Sequence, residues 1–483
     1  MYIGRNIDSI NNISTLDNLS FNGSDATFNL TQNSVAFVPV SADALQIQID
    51  GVIQANNFTI SGSTLTFDFT PNSGSVCNSV KHFGVGLLTT VSDGAVTTAK
   101  LGADAVTTAK INDGAVTSSK IASGVIPTSR PNATPLVYNG DCAIAQRGTS
   151  QTGVSSGANY PVDRFQLYPT NLGAYTITQE ALTSGNAFDN GFRTALRIDT
   201  TTADASPSST DYLILAQKFE GQDLQVIKKG SSNAEKLTLS FWVKSNKTTT
   251  GQVNLFEYQN NRLVSGTYTV SVANTWEKKI INFPADTTGA FTNSNVVSLG
   301  IEWFLDSGSN FSSGTAPTSW EAQSNGDRNA NNFALASSTA NDFAITGVQL
   351  EVGEFSSTTI PPFEFESFDN NLERCQRYFF KNNSVANMPM ASGVCNGTTN
   401  ARAVYYFPKT MRANPSLDKS SSTDFKVQIG GSVHDTTNVA FYYQNLNQAL
   451  LYADVSSGLT DGKGCLVIDD GGSNIFISGS AEL

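Results

Sequence analysis

Charged side chains are scarce in this sequence. Only 14% of its 483 residues are Asp, Glu, Lys or Arg, whereas soluble chains usually carry about 25%. The net charge is −12, and Lys and Arg are nowhere clustered. Binding to nucleic acid or to an anionic membrane depends on such basic clusters. The composition therefore argues against both kinds of partner and remains compatible with a neutral, polar partner such as a glycan.

Histidine and cysteine are rare as well. The two histidines are His82 and His434, and neither lies in the motif of an activated nucleophile. We interpret His434-Asp435 as an exposed turn. There is no CxxC pair and no Cys/His cluster that would bind zinc. The five cysteines lie far apart, which predicts free and mostly buried thiols; they are Cys77, Cys142, Cys375, Cys395 and Cys465.

Several other signals are missing. No apolar run reaches the roughly 20 residues that cross a bilayer, and residues 1–12 lack the basic and apolar stretches of a signal peptide. There is no phosphate-binding loop and no dinucleotide fingerprint. Asp461 and the pair Asp469-Asp470 are possible calcium donors, but their spacing does not match an EF-hand loop. We therefore expect a chain without cofactor, metal or membrane insertion that is assembled in the cytoplasm.

The residues that are abundant, Ser, Thr, Asn and Gly between short apolar alternations, predict an all-β protein. Residues 1–90 form the first predicted module, a β-meander with one apolar face. Two of its segments alternate apolar and polar residues next to turn signals. Their apolar members are Leu45, Ile47 and Ile49 in the first and Leu65, Phe67 and Phe69 in the second.

Residues 91–130 contain a ten-residue repeat, seen in DGAVTTAK, LGADAVTTAK and INDGAVTSSK. An apolar residue returns at every fifth position, which fits neither a helix nor a strand. One chain with this pattern buries almost nothing, so we predict that several chains intertwine into a thin stalk. A flexible linker is the alternative, although a linker does not need strict apolar spacing. The predicted stalk contacts are Val96, Leu101, Val106, Ile111, Val116 and Ile121.

Two larger modules follow the stalk. Residues 131–365 contain many short alternating segments between Gly, Asn and Ser turns, which predicts a jelly-roll β-sandwich. Residues 366–483 are predicted to form a terminal β module with one short helix. That helix is expected from Asp369 to Lys381, with Asp369 or Asn370 as its N-cap. Strands are predicted after it, among them Phe425 to Ile429 and Ala440 to Tyr443.

Several stretches of these two modules resemble motifs of bacteriophage tail-fibre and tail-spike proteins of the marine and cyanobacterial phage type. The stretches are VYNGDCAIAQRGTS (137–150), YPVDRF (160–165), LSFWVKS (239–245), ITGVQLEVGEFSSTT (345–359), PFEFES (362–367), LERCQRYFFK (372–381), FPKTMRANP (407–415) and the final AEL (481–483). The repeat also resembles stalks of such fibres. The motif usually has arginine at the position of Glu366, so its salt bridge is not carried over to this chain.

This resemblance implies a homotrimer that belongs to the virion. The N-terminal module would attach to other phage tail or particle proteins, and residues 366–483 would form the receptor-binding tip. The sandwich would resemble carbohydrate-binding modules. The implied function is host attachment, in which the fibre adheres to a glycan on the bacterial surface without enzymatic activity.

Carbohydrate binding requires exposed aromatic rings that stack on sugar faces, bordered by Asn, Asp and Gln side chains. The alternative role for any such ring is core packing, which is our interpretation of Trp242 because its strand alternates cleanly. The candidate binding residues are Trp303, Trp320, Tyr258, Tyr442 and Tyr443.

Three other functions compete with a passive tail fibre. A tail spike that hydrolyses glycans needs two carboxyl groups about 5 to 9.5 Å apart, and Glu302 and Glu321 are the first candidates. Adjacent residues of a strand point to opposite faces, so Glu302 and Trp303 would not both be exposed. A capsid-attached fibre would differ only in what the N-terminal module binds. A bacterial adhesin derived from a prophage would need an export signal.

Overall fold

The computed structural model describes residues 13–83, 134–384 and 387–483, together with parts of the repeat between residues 96 and 116. It forms two compact units, residues 1–118 and 119–483, which are described separately below. Strands dominate both, which confirms the all-β class. Within the described ranges, no helix has the length and apolar character to span a bilayer. Short 3-10 helices lie at Ala42–Ala44, Thr108–Lys110, Gly221–Ile227, Asn325–Asp327, Leu335–Ser337 and Ser422–Asp424.

The described residues of the first unit form nine short strands. These are β1 (Ile13–Leu16), β2 (Thr27–Asn29), β3 (Thr31–Gln32), β4 (Val35–Ala36), β5 (Leu45–Ile49), β6 (Val52–Gln54), β7 (Phe58–Ser61), β8 (Thr64–Phe67) and β9 (Cys77–Phe83). They pair as a sheet in the order β1-β9-β5-β6, a sheet β2-β8-β7 and the hairpin β3-β4. The predicted alternation buries Ile47 of β5 and Leu65 of β8 completely. Phe69 lies beyond the end of β8 and is exposed, so the predicted second strand is shorter than expected.

The repeat segment leaves its apolar side chains in solvent. Five of the six predicted stalk residues are described, and their exposed fractions lie between 39% and 53%. Ile121 lies outside the described residues. Apolar side chains that recur at a fixed spacing and remain this exposed bury little surface within their own chain. The residues are Val96, Leu101, Val106, Ile111 and Val116.

The second unit begins with a β-sandwich. Its strands are β10 (Ser150–Ser156), β11 (Gln166–Ala181), β12 (Thr194–Thr202), β13 (Tyr212–Glu220), β14 (Leu237–Lys244), β15 (Thr250–Glu257), β16 (Arg262–Thr269), β17 (Glu277–Phe283), β18 (Val297–Ser307), β19 (Glu321–Ala322) and β20 (Asp342–Val352), with the single-turn helices α1 (Asn186–Asp189) and α2 (Ser309–Ser312). The pairing order is β17-β14-β20-β12-β11-β13-β18-β15-β16-β19, and β10 pairs with β11.

Strand β11 connects the two layers of the sandwich. Its first half pairs with β13 and its second half with β12, so the sheet turns back over itself at this strand. Phe241 of β14 and Trp303 of β18 then meet edge to face, with ring centroids 5.5 Å apart, although their strands are not neighbours. Apolar side chains of both layers form one continuous core around this contact. This arrangement confirms the predicted sandwich.

The terminal module combines one helix with two strand groups. Its elements are α3 (Phe368–Gln376), β21 (Phe379–Asn383), β22 (Pro389–Cys395), β23 (Asn400–Tyr406), β24 (Ser416–Lys419), β25 (Phe425–Ile429), β26 (Ser432–Tyr442), β27 (Gln448–Val455), β28 (Gly464–Asp469) and β29 (Phe476–Ser480). Six strands close into a barrel in the order β22-β23-β27-β26-β25-β28, and β21, β29 and β24 form a separate sheet. Closure was not foreseen from the sequence.

Helix α3 is shorter and begins earlier than predicted. Its N-cap is Ser367, whose hydroxyl accepts a hydrogen bond from the Asn370 amide at 3.3 Å, so neither Asp369 nor Asn370 caps it. The helix ends before Lys381 because residues from Phe379 onward pair with β29. Glu366, which departs from the usual motif, forms an ion pair with Arg374 of this helix.

The buried side chain of Arg164 lies between the sandwich and the terminal module. It forms an ion pair with Glu482, and it donates to the main-chain oxygen of Lys218 at 2.7 Å. Its guanidinium carbon lies 3.5 Å from the centroid of the Tyr378 ring. A buried cation is tolerated only where such partners replace the lost water. Arg164 also has a φ of +73°, a conformation that is uncommon outside glycine.

A second buried charge, Glu220, reinforces the same joint. Its carboxylate accepts hydrogen bonds from the Arg377 guanidinium at 2.8 and 2.7 Å and from the Tyr378 hydroxyl. The guanidinium of Arg147 lies 3.5 Å from the ring centroid of Phe379. Most of these side chains come from the stretches QRGTS, YPVDRF, LERCQRYFFK and AEL. The motifs that carry the resemblance are thus largely the residues that join the two modules.

We expect the combined change Val106→Asp and Ile111→Asp to reduce the number of associated chains. Each aspartate places a charge among the apolar residues that are predicted to pack between chains. If three chains intertwine as predicted, light scattering gives a mass about three times 51.4 kDa for the unaltered protein and a smaller multiple for the variant. Thr107→Asp is the matched control and should keep the larger mass. A single-chain mass for the unaltered protein would contradict the intertwined stalk.

We expect Glu482→Gln to lower the free energy of unfolding by about 3 kcal/mol, because it leaves the buried Arg164 without its counter-charge. Chemical denaturation followed by tryptophan fluorescence measures this. Glu373→Gln removes a partner of the exposed pair with Lys409 and should cost less than about 1 kcal/mol. Equal effects of the two changes would show that Arg164 does not hold the joint.

Candidate functional site

Two of the predicted binding rings have structural roles in the sandwich. Trp303 is fully buried in the core, so a sugar does not reach it, and its assignment is corrected to core packing. Trp320 is half-buried, packs against the same core and donates from Nε1 to the main-chain oxygen of Pro284 at 2.8 Å. This hydrogen bond ties Trp320, just before β19, to the residue that follows β17.

Tyr258 belongs to a largely buried cluster of polar contacts beside β18. Its hydroxyl donates to Glu302 at 2.9 Å, and Arg328 donates to the other oxygen of Glu302 at 2.8 Å. Burial and the charge of Glu302 raise the pKa of the Tyr258 hydroxyl well above its usual range. Glu302 is buried, whereas Glu321 is exposed on β19. Glu302 is therefore engaged in structural contacts with both oxygens.

Tyr442 and Tyr443 lie at the end of β26 and are exposed. The exposed fractions are 45% for Tyr442 and 81% for Tyr443. The ring of Tyr442 lies 4.5 Å from that of Tyr452, centroid to centroid, and 6.4 Å from that of Tyr443. Of the five predicted rings, these two remain in contact with solvent as part of an aromatic group.

The strand period explains why this group is on the outside of the barrel. Along β23 and β27 every second residue is buried, and these inward residues include alanines that allow the barrel to close tightly. The intervening side chains point outward. In the pairing register Arg402 lies opposite Tyr452, and Tyr452 lies opposite Ala440. Directly opposed residues share one face of a sheet, so a continuous outer surface spans three strands, about 10 Å.

We call this surface the tyrosine face. It is formed by the outward residues of β23, β26 and β27 and by the residue that follows β26. Its members are Arg402, Val404, Tyr406, Ala440, Tyr442, Tyr443, Leu450 and Tyr452. Tyr406 is 68% exposed, so three of the four rings present much of their area to solvent.

Polar groups border the tyrosine face at one end. Asp454 of β27 accepts hydrogen bonds from the side-chain amides of Asn400 at 2.6 Å and Asn438 at 3.0 Å. These residues lie two register pairs beyond Arg402 and Tyr452, which is the next position on the same face. A row of amide and carboxylate groups beside exposed rings is the combination that reads sugar hydroxyls and sugar faces together.

The loop after β26 holds Tyr443 in place. Tyr443 has a φ of +50°, which turns the chain sharply out of the strand. Asn445 then accepts hydrogen bonds from the amides of Asn447 at 2.8 Å and Gln448 at 3.0 Å. The loop is also fixed from outside, because the Met411 amide donates to the main-chain oxygen of Leu446 at 2.8 Å. Tyr443 is thus presented by an ordered turn.

A polar groove of about 290 Å³ lies on the other edge of β26, between this strand and β24. Asp418, Lys419 and Gln444 contribute its functional groups, and Phe441 contributes an apolar wall. The groove adjoins the turn that carries Tyr443. It extends the area over which an elongated ligand on the tyrosine face can form hydrogen bonds.

Tyr406, Tyr452 and Arg402 were missed in the sequence. In the sequence, Ala403, Tyr405 and Phe407 alternate with Arg402, Val404 and Tyr406, so the two sets lie on opposite faces of a strand. That signal would have found Arg402 and Tyr406. Tyr452 needed the pairing register of β27, which the sequence does not specify.

The possible calcium donors have other partners. Asp469 is buried and accepts from the Ser384 hydroxyl and from the amides of Asn387 at 2.7 Å, Met388 at 2.8 Å and Gly471 at 2.8 Å. Burial alone raises its pKa, but these hydrogen bonds outweigh burial, and the pKa of Asp469 is lowered. It acts as an anchor for the loops at one end of the barrel.

The other candidates behave similarly. Asp461 accepts from the Gly397 amide at 2.8 Å, and Asp470 accepts from the Gly472 amide at 2.8 Å. His434 is half-buried within β26 rather than in the exposed turn that was predicted. No group of three or more potential metal ligands occurs among the residues that the structure describes.

A second cleft, of about 300 Å³, lies at the start of the sandwich beside residues 134–141. Its walls combine Pro and Val side chains with several carboxylates, including Asp141 and Asp223. Asp223 is engaged by the Tyr138 hydroxyl at 2.6 Å, and Asp141 by Asn371 at 3.2 Å. The one aromatic ring among its described lining residues is Phe363, which packs against Phe192 and Phe365 with ring centroids 5.0 and 4.8 Å away.

Comparison with known proteins gives only distant similarity. No protein-family model and no curated protein matches the chain. Among solved structures, the enzymatically active domain of tailspike protein 4 of bacteriophage CBA120 is 15% identical with a TM-score of 0.24, over 45% of this chain and 21% of that one. A family 11 carbohydrate-binding module of a Clostridium thermocellum cellulase is 9% identical with a TM-score of 0.21, over 42% and 99%.

A family 61 carbohydrate-binding module in complex with β-1,4-galactotriose is 8% identical with a TM-score of 0.22, over 46% of this chain and 99% of that one. The matched part thus spans less than half of this chain in each case and about a fifth of the tailspike domain. Similarity at this level does not assign a function to the chain.

We expect the stability of the terminal barrel to fall as the pH drops below about 4, because Asp469 has a lower pKa when folded than its ordinary 3.8. A depressed carboxyl pKa stabilises the fold above the unfolded pKa, and that contribution is lost on protonation. Asp469→Asn should lower the free energy of unfolding by about 3 kcal/mol at pH 7. It should also make that free energy depend less on pH below about 4. Denaturant titrations at pH 7 and pH 3 measure both effects.

Asp470→Asn is the matched control, since Asp470 has one amide partner where Asp469 has several. It should retain the unaltered protein's stability and pH profile. If the Asp469→Asn variant loses as much stability between pH 7 and pH 3 as the unaltered protein does, the anchoring role of Asp469 is contradicted.

Proposed function

We propose that the chain is a non-enzymatic bacteriophage tail-fibre protein that attaches the particle to bacteria by binding a surface glycan at the tyrosine face. One observation carries this proposal: Tyr406, Tyr442 and Tyr443 expose large parts of their rings on one rigid, polar-bordered sheet surface. Sugar rings present apolar C–H faces and polar rims, and exposed aromatic rings with neighbouring amides complement both.

The assignment to a phage fibre is supported by the sequence motifs together with their position. The motif residues meet at the joint, where Arg164 and Glu220 lock the terminal module onto the sandwich. A tip that is held rigidly presents its binding surface at low entropic cost. A net charge of −12 and the shortage of basic residues fit a glycan better than a nucleic acid.

The first unit provides the particle-binding side in this proposal. It carries several valines whose exposed fractions lie between 58% and 69%, and exposed apolar groups of this kind are typical of protein contacts. Whether the partner is a tail or a capsid protein is resolved by labelling the N-terminal unit on intact particles. The valines are Val35, Val38, Val40, Val52 and Val76.

Weak single-site binding is sufficient for this function. A millimolar site is worth about −4 kcal/mol. Three tips on one fibre and several fibres on one particle raise the effective concentration, so the combined attachment exceeds that of one site by orders of magnitude. The predicted stalk supplies this multiplicity.

The proposal does not include catalysis. Glycoside hydrolysis uses two carboxyl groups, and the carboxylate that borders the tyrosine face, Asp454, is already engaged by Asn400 and Asn438. In the sandwich, Glu302 is engaged by Arg328 and Tyr258. These contacts favour a passive adhesin over a glycan-hydrolysing spike.

We expect the combined change Tyr442→Ala and Tyr443→Ala to reduce binding to immobilised bacterial surface polysaccharides at least about tenfold, or about 1.4 kcal/mol per site. The reason is the loss of two stacking rings from the exposed surface. Surface plasmon resonance on a panel of polysaccharides measures the effect, and thermal unfolding verifies that the variant remains folded.

Tyr168→Ala is the matched control, because Tyr168 is also partly exposed and stacks on Tyr212 at 6.0 Å, but it lies on the sandwich. It should leave binding unchanged. If Tyr168→Ala abolishes binding and the double variant does not, the sandwich carries the site. Release of reducing ends from any bound polysaccharide would replace the passive fibre with a depolymerising spike.

A further inference from the structure

The tyrosine face contains one cation, and its position is well defined. Arg402 projects outward from β23 and lies opposite Tyr452 in the register. Its guanidinium carbon is 5.0 Å from the centroid of the Tyr452 ring. A cation held against an aromatic face is oriented by the ring quadrupole while its N–H groups remain free to donate. Arg402 is therefore placed among the rings that would contact a ligand.

Arg402 has no anionic partner among the described residues, whereas two lysines of the terminal module each lie beside an acid. Lys409 pairs with Glu373, and Lys426 lies 3.9 Å from Asp435. Arg412 donates to the main-chain oxygens of Ala481 at 2.8 Å and Glu482 at 3.0 Å.

The acid nearest to Arg402 in the register is Asp454, and both oxygens of Asp454 are engaged by asparagine amides. A planar, exposed guanidinium therefore remains open in a chain whose net charge is −12.

We infer that the tyrosine face binds a glycan that carries a carboxylate, such as a uronic acid, with Arg402 donating to that carboxylate. The inference rests on the proposed glycan-binding function and specifies its ligand class. The guanidinium fork matches a carboxylate with two parallel N–H···O hydrogen bonds. The neighbouring Tyr442 and Tyr452 supply ring faces for the sugar carbons, so charge and stacking act on one residue of the glycan.

The position of Arg402 is important for an acidic ligand because the net charge of the chain is negative. An acidic polysaccharide would be repelled by the overall negative charge of the chain. Arg402, which has no anionic partner among the described residues, provides local attraction on the β23 side of the face. Lys419 in the adjoining groove adds a second cation on the far side of β26.

The test uses the full-length protein on an array of acidic oligosaccharides, among them oligogalacturonate, each paired with its methyl ester, together with neutral oligosaccharides. We expect at least one acid to bind about tenfold more tightly than its ester. Arg402→Gln should bring the ratio of acid affinity to ester affinity from about ten down to about one, whereas Arg402→Lys should keep part of this preference. Binding of the acid should weaken with added salt for the unaltered protein and not for Arg402→Gln.

Lys81→Gln is the matched control, since it removes one exposed charge from the first unit and should leave the preference intact. Glycan binding that is equal for acid and ester, confined to neutral members, or unchanged by Arg402→Gln would overturn this inference while glycan binding itself stands. A protein that binds no member of the array would overturn the inference and the proposed function together.

Discussion

The burial of Arg164 is the constraint on which the second unit depends. Its charge is removed from water between two modules, and three contacts compensate for that loss: the Glu482 carboxylate, the Lys218 main-chain oxygen and the Tyr378 ring. Each contact comes from a different part of the chain, so the charge is satisfied only when the sandwich and the terminal module are packed together. Breaking a pair of this kind is costly because the remaining charge stays buried. The joint therefore couples the folding of the two modules and fixes the tip against the sandwich.

The tyrosine face follows from this rigidity and from strand periodicity. Small inward residues such as Ala401, Ala403 and Ala453 let the barrel close around a narrow core. Because the barrel is closed, each strand of the tyrosine face has a paired neighbour on both sides. The outward positions are then available for rings and polar groups without a cost to packing. Arg402 and Tyr452 on neighbouring strands, and Tyr443 in its left-handed turn, acquire their positions from the register and not from flexible loops.

Much of this architecture is readable from the sequence, for definite reasons. Alternation at Leu45 to Ile49 and at Leu237 to Val243 predicts strands because one face must be buried, and the structure has β5 and β14 there. The five-residue spacing of the repeat indicates apolar residues that a single chain cannot bury, and the described ones, such as Val96 and Val116, are exposed; their packing between chains stays a prediction. The candidate binding rings were harder to identify. Trp303 and Tyr443 are both large aromatic residues, yet only the three-dimensional pairing of β18 with its neighbours buries the first.

The motifs illustrate a second limit. QRGTS, YPVDRF and LERCQRYFFK resemble those of phage fibres, and they suggest a functional site because they are rich in charged residues. The structure places Arg147, Arg164 and Arg377 in the joint instead, where cations support rings and pair with buried acids. The charged residues of these motifs therefore stabilise the packing of the two modules against each other. The tyrosine face consists of less distinctive residues, which lie on the outward side of three strands and are identified only from the pairing register.

The central claim is that glycan is bound on the tyrosine face of the terminal barrel. Hydrogen–deuterium exchange of the unaltered protein, with and without a saturating bound polysaccharide, tests it most directly. The account predicts slower exchange in residues 400–406, 440–447 and 448–454 and no change in residues 166–170 and 212–218 on the outer surface of the sandwich. Protection confined to the sandwich strands, with unchanged exchange across the barrel, would contradict it.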